Sequence, residues 1–529
     1  MLCPQYVKKT KTKQIFTREV KNKMKKRLLA LTVAMIMAAS TLAACGDNAG
    51  AGTGTEAGTG TEAGTGTETG TEGGESGSGD AGATVANSPY SGTVNSGSYT
   101  RVVDDAPAVT VTAKLECPDT TDWTDADKIY FYSWNDEFGS RMQYVLDAYP
   151  QLSDYVEYVN LGVSGTDGSY QQAIDNLIET NDAKFPSIIA ADNDVAKYYS
   201  ESDVTLSMES IGITEDMYAN AYAFSKQYAT YNGELKALTW QACPGCFLYR
   251  TDIAEEVLGV SDPADIQEYV KDWDTFMTTA QTMKDAGYSM VAGTDEIKYA
   301  CFDQQTMPWI TVDGGSEVLT LDTAVTDYFE LSKQLYDGEF TDNGSMWSAE
   351  WSAGYEGKVF GYFGCTWSVY WCMVFDDTLG DDSSYGKWSV CQGPVGYHWG
   401  GTYVMVVDGC PNTELAAFLV YSLCCDEDIM YTLAVDTKDF VNNKAVIEKE
   451  IANGDGADPI LGGFNPVEVW AESVKYIDLS NTCYLDSEIK NYITDAAAAY
   501  NVGTLGSIEE AVIYVKEQVA ANYPYVVVE

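Results

Sequence analysis

The 529 residues leave room for two or three structural units and a sizeable core, and with 45% hydrophobic and 21% charged residues most of the chain should be globular. The charge is lopsided: 31 Lys and Arg face 79 Asp and Glu, and since ten of the basic residues and one acid precede position 45, the remainder holds 21 against 78, a net −57. So acidic a surface repels phosphate backbones, which excludes nucleic acid as a partner, and a single histidine, His398, leaves little room for imidazole catalysis or His-rich metal sites.

The chain opens on an address. Translation is read as starting at Met24, followed by Lys25, Lys26 and Arg27 and then by an apolar stretch from Leu28 to Ala39, too short to span a bilayer as a mature helix. Residues 1–44 therefore read as a signal peptide. Leu42-Ala43-Ala44-Cys45 resembles the lipobox of bacterial lipoproteins, and that resemblance implies acylation at Cys45 and contact with the lipid bilayer there. Residues 45–100 continue as a Gly/Thr/Glu/Ala/Ser tract in which Gly-Thr-Gly-Thr-Glu-Ala starts at Gly52 and repeats at Gly58. Such a tract buries too little apolar surface to fold and acts as a tether reaching roughly 40 Å.

The folded part is expected from about Asp127. Lys128–Trp134 reads as a strand, Phe138–Tyr149 as a helix and Tyr155–Leu161 as a second strand. A helix opens at Gly168-Ser169, and Ser187–Ala191 is an apolar run suited to a buried strand. Trp273, Phe276, Met277, Ala280 and Met283 form a helical stripe ended by Gly287, which places Trp273 in the core; Ser507 and Glu510 form a capping box ahead of a last helix. Alternating strands and helices predict an α/β fold with a mainly parallel sheet.

In open parallel sheets ligands sit beyond the carboxyl ends of strands. Two such ends are readable, Trp134-Asn135-Asp136-Glu137 and Asp192-Asn193-Asp194. Both offer amides and carboxylates to hydroxyl groups, and the first adds a ring for the apolar face of a sugar. Asn and Asp are equally favoured as helix caps, so each cluster carries both readings.

Several stretches in order resemble bacterial extracellular solute-binding proteins of family 1, the carbohydrate receptors of ABC importers. They are Trp134–Phe138, the segment Tyr231-Asn232-Gly233-Glu234-Leu235 through Trp240 to Asp252, Gly357-Lys358-Val359 to Trp367, Gln392-Gly393-Pro394 through Gly400-Gly401, and Asn412–Asp428. The resemblance implies a two-lobed periplasmic-binding-protein-like (type II) fold whose hinge several chain segments cross. It would place lobe 1 at 127–239 with 393–436 and lobe 2 at 240–392 with 437–529. It implies a monomeric receptor that closes on its ligand, docks on ABC permease subunits, breaks no bond and needs no cofactor.

The residues it nominates for the cleft are Trp134, Asn135, Glu137 and Asp192 from the first lobe, Trp240 at the first crossover, Trp309 and Trp367 from the second lobe, Tyr397 and Trp399 at the second crossover, and Phe464 with Asn465 late in the chain. Each Trp has core packing as its alternative. Beyond residue 44 only Arg101, Arg141 and Arg250 provide guanidinium groups, which disfavours an anionic ligand, whereas 12 Trp and 37 Tyr suit a neutral sugar or oligosaccharide. A cation in an aromatic and acidic cage is the other solute chemistry open.

Cys243-Pro244-Gly245-Cys246 has redox spacing but no thioredoxin-like context, so a local disulfide or buried thiols are expected there. Asn453–Asp458 could chelate calcium but lacks the twelve-residue loop pattern, and no metal site is expected. The rival classes are a secreted glycoside hydrolase working through two carboxylates and a surface adhesin for glycans.

Overall fold

The computed structural model describes residues 101–528 apart from Val374 and Asp377; the leader, Cys45 and the tether lie outside the described residues. Nine strands make the two main sheets: β1 (Ile129–Ser133), β2 (Val156–Asn160), β3 (Pro186–Asp192), β4 (Leu238–Thr239), β5 (Gly245–Arg250), β6 (Ser289–Val291), β7 (Val359–Cys365), β8 (Trp388–Cys391) and β9 (Thr402–Val406). The first sheet runs β2-β1-β3-β9-β4 and the second β8-β5-β7-β6.

The first sheet follows from its sequence. Helix Glu137–Ala148 links β1 to β2 and helix Ser169–Thr180 links β2 to β3, so these three strands are parallel. Alternation sorts the side chains: Ile129 and Phe131 enter a core with Ile188, Val404 and the buried helix Thr413–Cys424, while Tyr132 faces the other way.

The second sheet departs from the parallel expectation. Strand β5 is antiparallel to both β7 and β8, and only β6 and β7 are parallel. Its chain arrives from β4 of the other sheet through residues 240–244 and not through a helical crossover, so nothing forces the parallel direction. Helix Trp273–Asp285 lays Trp273, Phe276 and Met277 against this sheet, with Trp273 stacked on Phe363 and Phe276 edge-on to Phe247. Its end is a Schellman turn: Tyr288 N–H donates to the Met283 carbonyl and Gly287, at φ +87°, donates to Lys284. At helix Ile508–Asn522, Ser507 accepts from Glu510 N–H, but the Glu510 carboxylate reaches the Gly506 amide, one position before the usual capping box.

Three chain segments bridge the sheets side by side. Asn442 N–H donates to the Trp240 carbonyl and Ala242 N–H to Phe440, while Gly245 N–H donates to Tyr397 and Trp399 N–H to Cys243. Residues 240–245, 397–399 and 440–442 thus form one hydrogen-bonded ribbon. The sole histidine, His398, belongs to it: its amide donates to Asp303, 2.7 Å away, and its Nε2 lies 3.0 Å from the Gly400 carbonyl. Ahead of β1, residues 101–124 form a strap. Asp104 accepts from Lys444 (2.5 Å) and from Ala223 N–H (2.7 Å), its own amide donates to the Lys475 carbonyl, and Val109 exchanges two hydrogen bonds with the Asn220 side chain. Among the described residues no helix is long and apolar enough to cross a membrane.

Candidate functional site

Between the two sheets lies a cavity of about 270 Å³, lined by Trp134, Asn135, Glu137, Asp192, Gln241, Trp347, Trp367, Trp371, Gly400, Gly401 and Thr402. These residues stand at strand ends: Trp134 follows β1, Asp192 ends β3, Thr402 opens the antiparallel β9, and Trp367 follows β7. Two larger hollows, about 490 and 470 Å³, lie elsewhere. The first is framed largely by Asp262, Pro263, Cys391 and Phe464, the second by the strap and Lys444; neither joins the two main sheets or gathers indole rings.

Each wall has a local cause. Trp134 packs edge-on against Tyr170 at 5.7 Å, and Gly165 lies so close to its indole that a Cβ there would approach within 2.9 Å. The Asn135 side chain accepts from Glu137 N–H at 3.0 Å in the turn ahead of its helix, and Asp192, the N-cap of its helix, accepts from Asp194 N–H at 2.9 Å; both also face the cavity. Trp367 is half-buried; its indole N–H donates to the Trp399 carbonyl at 3.0 Å and its ring meets Trp399 edge-on at 4.7 Å. Gly400, at φ +77°, makes room for this: a Cβ would sit 2.9 Å from the Trp367 indole nitrogen.

The cavity is acidic and holds no lysine or arginine in its lining. The nearest guanidinium, Arg141, grips Asp439 with Nε and Nη2 at 2.6 and 3.1 Å and lies 3.9 Å from Glu137. Burial, reinforced by the Asp439 charge and opposed by Arg141 and a hydrogen bond from Gln241, pushes Glu137 up to about 7. Burial and the neighbouring Asp194 push Asp192 up to about 8. Near neutrality these carboxyls are poised between accepting from a hydroxyl and donating to one. Indole faces with such groups suit a solute with apolar faces and a rim of hydroxyls.

The structure thus brings Trp134, Asn135, Glu137, Asp192 and Trp367 to one cavity, with Trp399 supporting it from behind. It puts the other nominated residues elsewhere. Trp240 is fully buried and stacked on Phe138. Trp309 is fully buried, its indole donating to Asp322 at 3.0 Å. Tyr397 is fully buried behind Gly245, its single hydroxyl proton shared between the Cys246 and Gly364 carbonyls, 2.9 and 2.6 Å away. Phe464 lines the separate 490 Å³ hollow, and the Asn465 side chain accepts from Val467 N–H in the turn that leads into the next helix. Gln241, Trp347, Trp371 and Thr402 join the lining without having been nominated. Gln241 neighbours a nominated residue; Trp347 follows a loop with no periodic signal.

The eleven cysteines among the described residues are free thiols, and burial pushes Cys246 up to about 12 and Cys243 well above the ordinary thiol range, the reverse of a redox-active pair. In the turn considered for calcium, Asp455 accepts from the Tyr431 hydroxyl and Asp458 from Ile460 N–H. Among the described residues no group of three or more candidate ligands comes together.

Two α/β units, a ribbon of three crossing segments and a cavity between them define a two-lobed periplasmic binding protein. The chain belongs to the bacterial extracellular solute-binding proteins, whose family description matches residues 154–459. Its members are receptors and not enzymes. Among solved structures, an extracellular solute-binding protein of family 1 covers 74% of this chain and 99% of its own at TM-score 0.60 and 15% identity. The sugar-binding protein MalE of Xanthomonas citri covers 75% and 97% at TM-score 0.58 and 13% identity. A binding protein from B. animalis subsp. lactis Bl-04, in complex with β-1,6-galactobiose, covers 76% and 99% at TM-score 0.56 and 18% identity. No curated protein sequence matches the chain.

Proposed function

We propose that this solute-binding protein is a membrane-anchored receptor that takes a neutral sugar or oligosaccharide between two lobes and hands it to an ABC import permease. The observation that carries the reading is the cavity between the sheets, where indole rings meet carboxyl, amide and hydroxyl groups and no cationic side chain is offered to an anion. Trp134, Asn135, Glu137, Asp192 and Trp367 bind, with Gln241, Trp347, Trp371 and Thr402. Lobe 1 comprises 127–239 with 393–436 and lobe 2 comprises 240–392 with 437–529, in keeping with the strands of each sheet. The galactobiose complex of one structural neighbour and the lacto-N-biose complex of another support carbohydrate as the solute class. Cys45 carries the lipid, the 45–100 tract is the tether, and the receptor stands on the extracytoplasmic face of the membrane.

The test is a thermal-shift and calorimetric screen over mono- and oligosaccharides, followed by Trp367→Ala on the tightest ligand. Loss of the stacking face should weaken binding by about 1–3 kcal/mol. Unchanged affinity would move the site elsewhere. Cleavage of an oligosaccharide that disappears in Glu137→Ala would favour the hydrolase, and binding only to insoluble polymer would favour the adhesin.

A further inference from the structure

We infer that Trp347 is a movable second stacking face, and that with Trp367 it selects pyranose units whose hydroxyls are all equatorial; the inference rests on the carbohydrate reading above and names its substrate class. Trp347 is 58% exposed and its backbone sits at φ +71°. A bulky side chain in that region is a genuine outlier, and both strain and an exposed indole are unfavourable for folding. Such strain persists where surrounding structure enforces it, and it clusters at ligand clamps.

Here the enforcement is visible. Met346 N–H and the Ser345 hydroxyl donate to Asp295 at 3.0 and 3.1 Å, and Gly344 N–H donates to the Ala292 carbonyl at 2.9 Å. Gly293 lets the loop in: a Cβ there would lie 1.9 Å from the Gly344 carbonyl oxygen. The loop is built to hold one indole over the cavity.

That indole lies parallel to Trp367, with 1° between the planes and 6.1 Å between ring centres. A sugar ring held between two aromatic faces needs carbon contacts of 3.5–4.0 Å on each side, a separation of about 7–8 Å. At this centre-to-centre spacing the two rings leave no room for a sugar between them, so the loop must move aside to admit one. Once it does, both faces of the sugar meet an indole. A gluco- or xylo-configured ring directs axial C–H bonds to both faces and suits this slot. A galacto or manno ring presses an axial hydroxyl onto one indole, where it loses water without gaining a partner.

The test is calorimetric titration of the soluble chain with α- and β-linked trisaccharides of glucose, xylose, galactose and mannose. The tightest ligand should be gluco- or xylo-configured. Trp347→Ala should weaken it about tenfold, and Trp347→Phe should recover most of the loss. Trp347→Gly should bind as weakly as Trp347→Ala yet unfold at the same or a higher temperature, because glycine accepts the positive φ without strain. A purely structural tryptophan would lower the unfolding temperature instead. Equal or tighter binding by Trp347→Ala overturns the second face, and a galacto- or manno-configured best ligand overturns the class; both leave the receptor reading standing. Binding of no carbohydrate by the wild-type chain overturns that reading and this inference with it.

Discussion

Trp309 and Trp367 carry the same ring to different ends. Trp309 is fully buried against Phe302 and satisfied by Asp322, so Trp309→Ala should lower stability by about 3–5 kcal/mol and leave sugar affinity unchanged, as denaturant unfolding and calorimetry would read. Trp367→Ala should show the opposite pattern. The sequence placed both in motifs but could not tell which way a side chain points. Trp240 enters the core while the next residue, Gln241, lines the cavity, because consecutive side chains of an extended segment face opposite ways. The buried carboxyls make a further prediction. Glu137 at about 7 and Asp192 at about 8 hold their protons more tightly folded than unfolded, as do Asp175 and Glu450 at about 7 and Glu296 at about 8. Between the ordinary carboxylate range and these values these groups bind more protons in the folded chain than in the unfolded one, so the stability they contribute is fully present at acid pH and falls as pH rises. The unfolding temperature of the ligand-free protein should therefore drop from pH 5 to pH 8, less steeply in Glu137→Gln. A rise over that interval would contradict the burial of these groups.

Helix Glu137–Ala148 carries a second kind of information, because it ties β1 to the ribbon. Arg141, one turn after Glu137, holds Asp439 bidentately, and the Asp439 side chain is buried. Arg141→Ala leaves two carboxyls without their cation and should cost about 3–5 kcal/mol in unfolding free energy. Arg141→Lys should recover only part, since an ammonium cannot reproduce the two-pronged geometry. The helix itself was legible: its expected span, Phe138–Tyr149, falls one residue from the observed one, and the strands expected at Lys128–Trp134, Tyr155–Leu161 and Ser187–Ala191 are all present. Periodicity reports burial within an element, which is why these spans were readable. The strap at 101–124 and the Trp347 loop were not, because their positions come from hydrogen bonds to distant residues such as Lys444, Lys475 and Asp295. The direction of β5 was hidden for the same reason: it depends on where the chain comes from and not on its own residues.

At the scale of the molecule, the ribbon of 240–245, 397–399 and 440–442 is where a two-lobed receptor would bend, and the strap lies across its neighbours. Asp104 ties Lys444, which follows the third ribbon segment, to the Ala223 amide, and its backbone reaches Lys475. A lobe rotation must either carry these contacts along or strain them. Asp104→Ala removes the acidic partner of Lys444, whose side chain is 12% exposed, and should lower stability by about 3 kcal/mol. If the strap also restrains the bend, the variant's ligand affinity should change although Asp104 does not line the cavity. Small-angle scattering separates the two effects. Saturating sugar should shrink the radius of gyration of the wild-type chain as the lobes close, and it should shrink Asp104→Ala to the same closed value from a wider ligand-free start. Identical ligand-free values would make the strap a staple of stability alone, and no shrinkage in either protein would remove lobe closure from the mechanism.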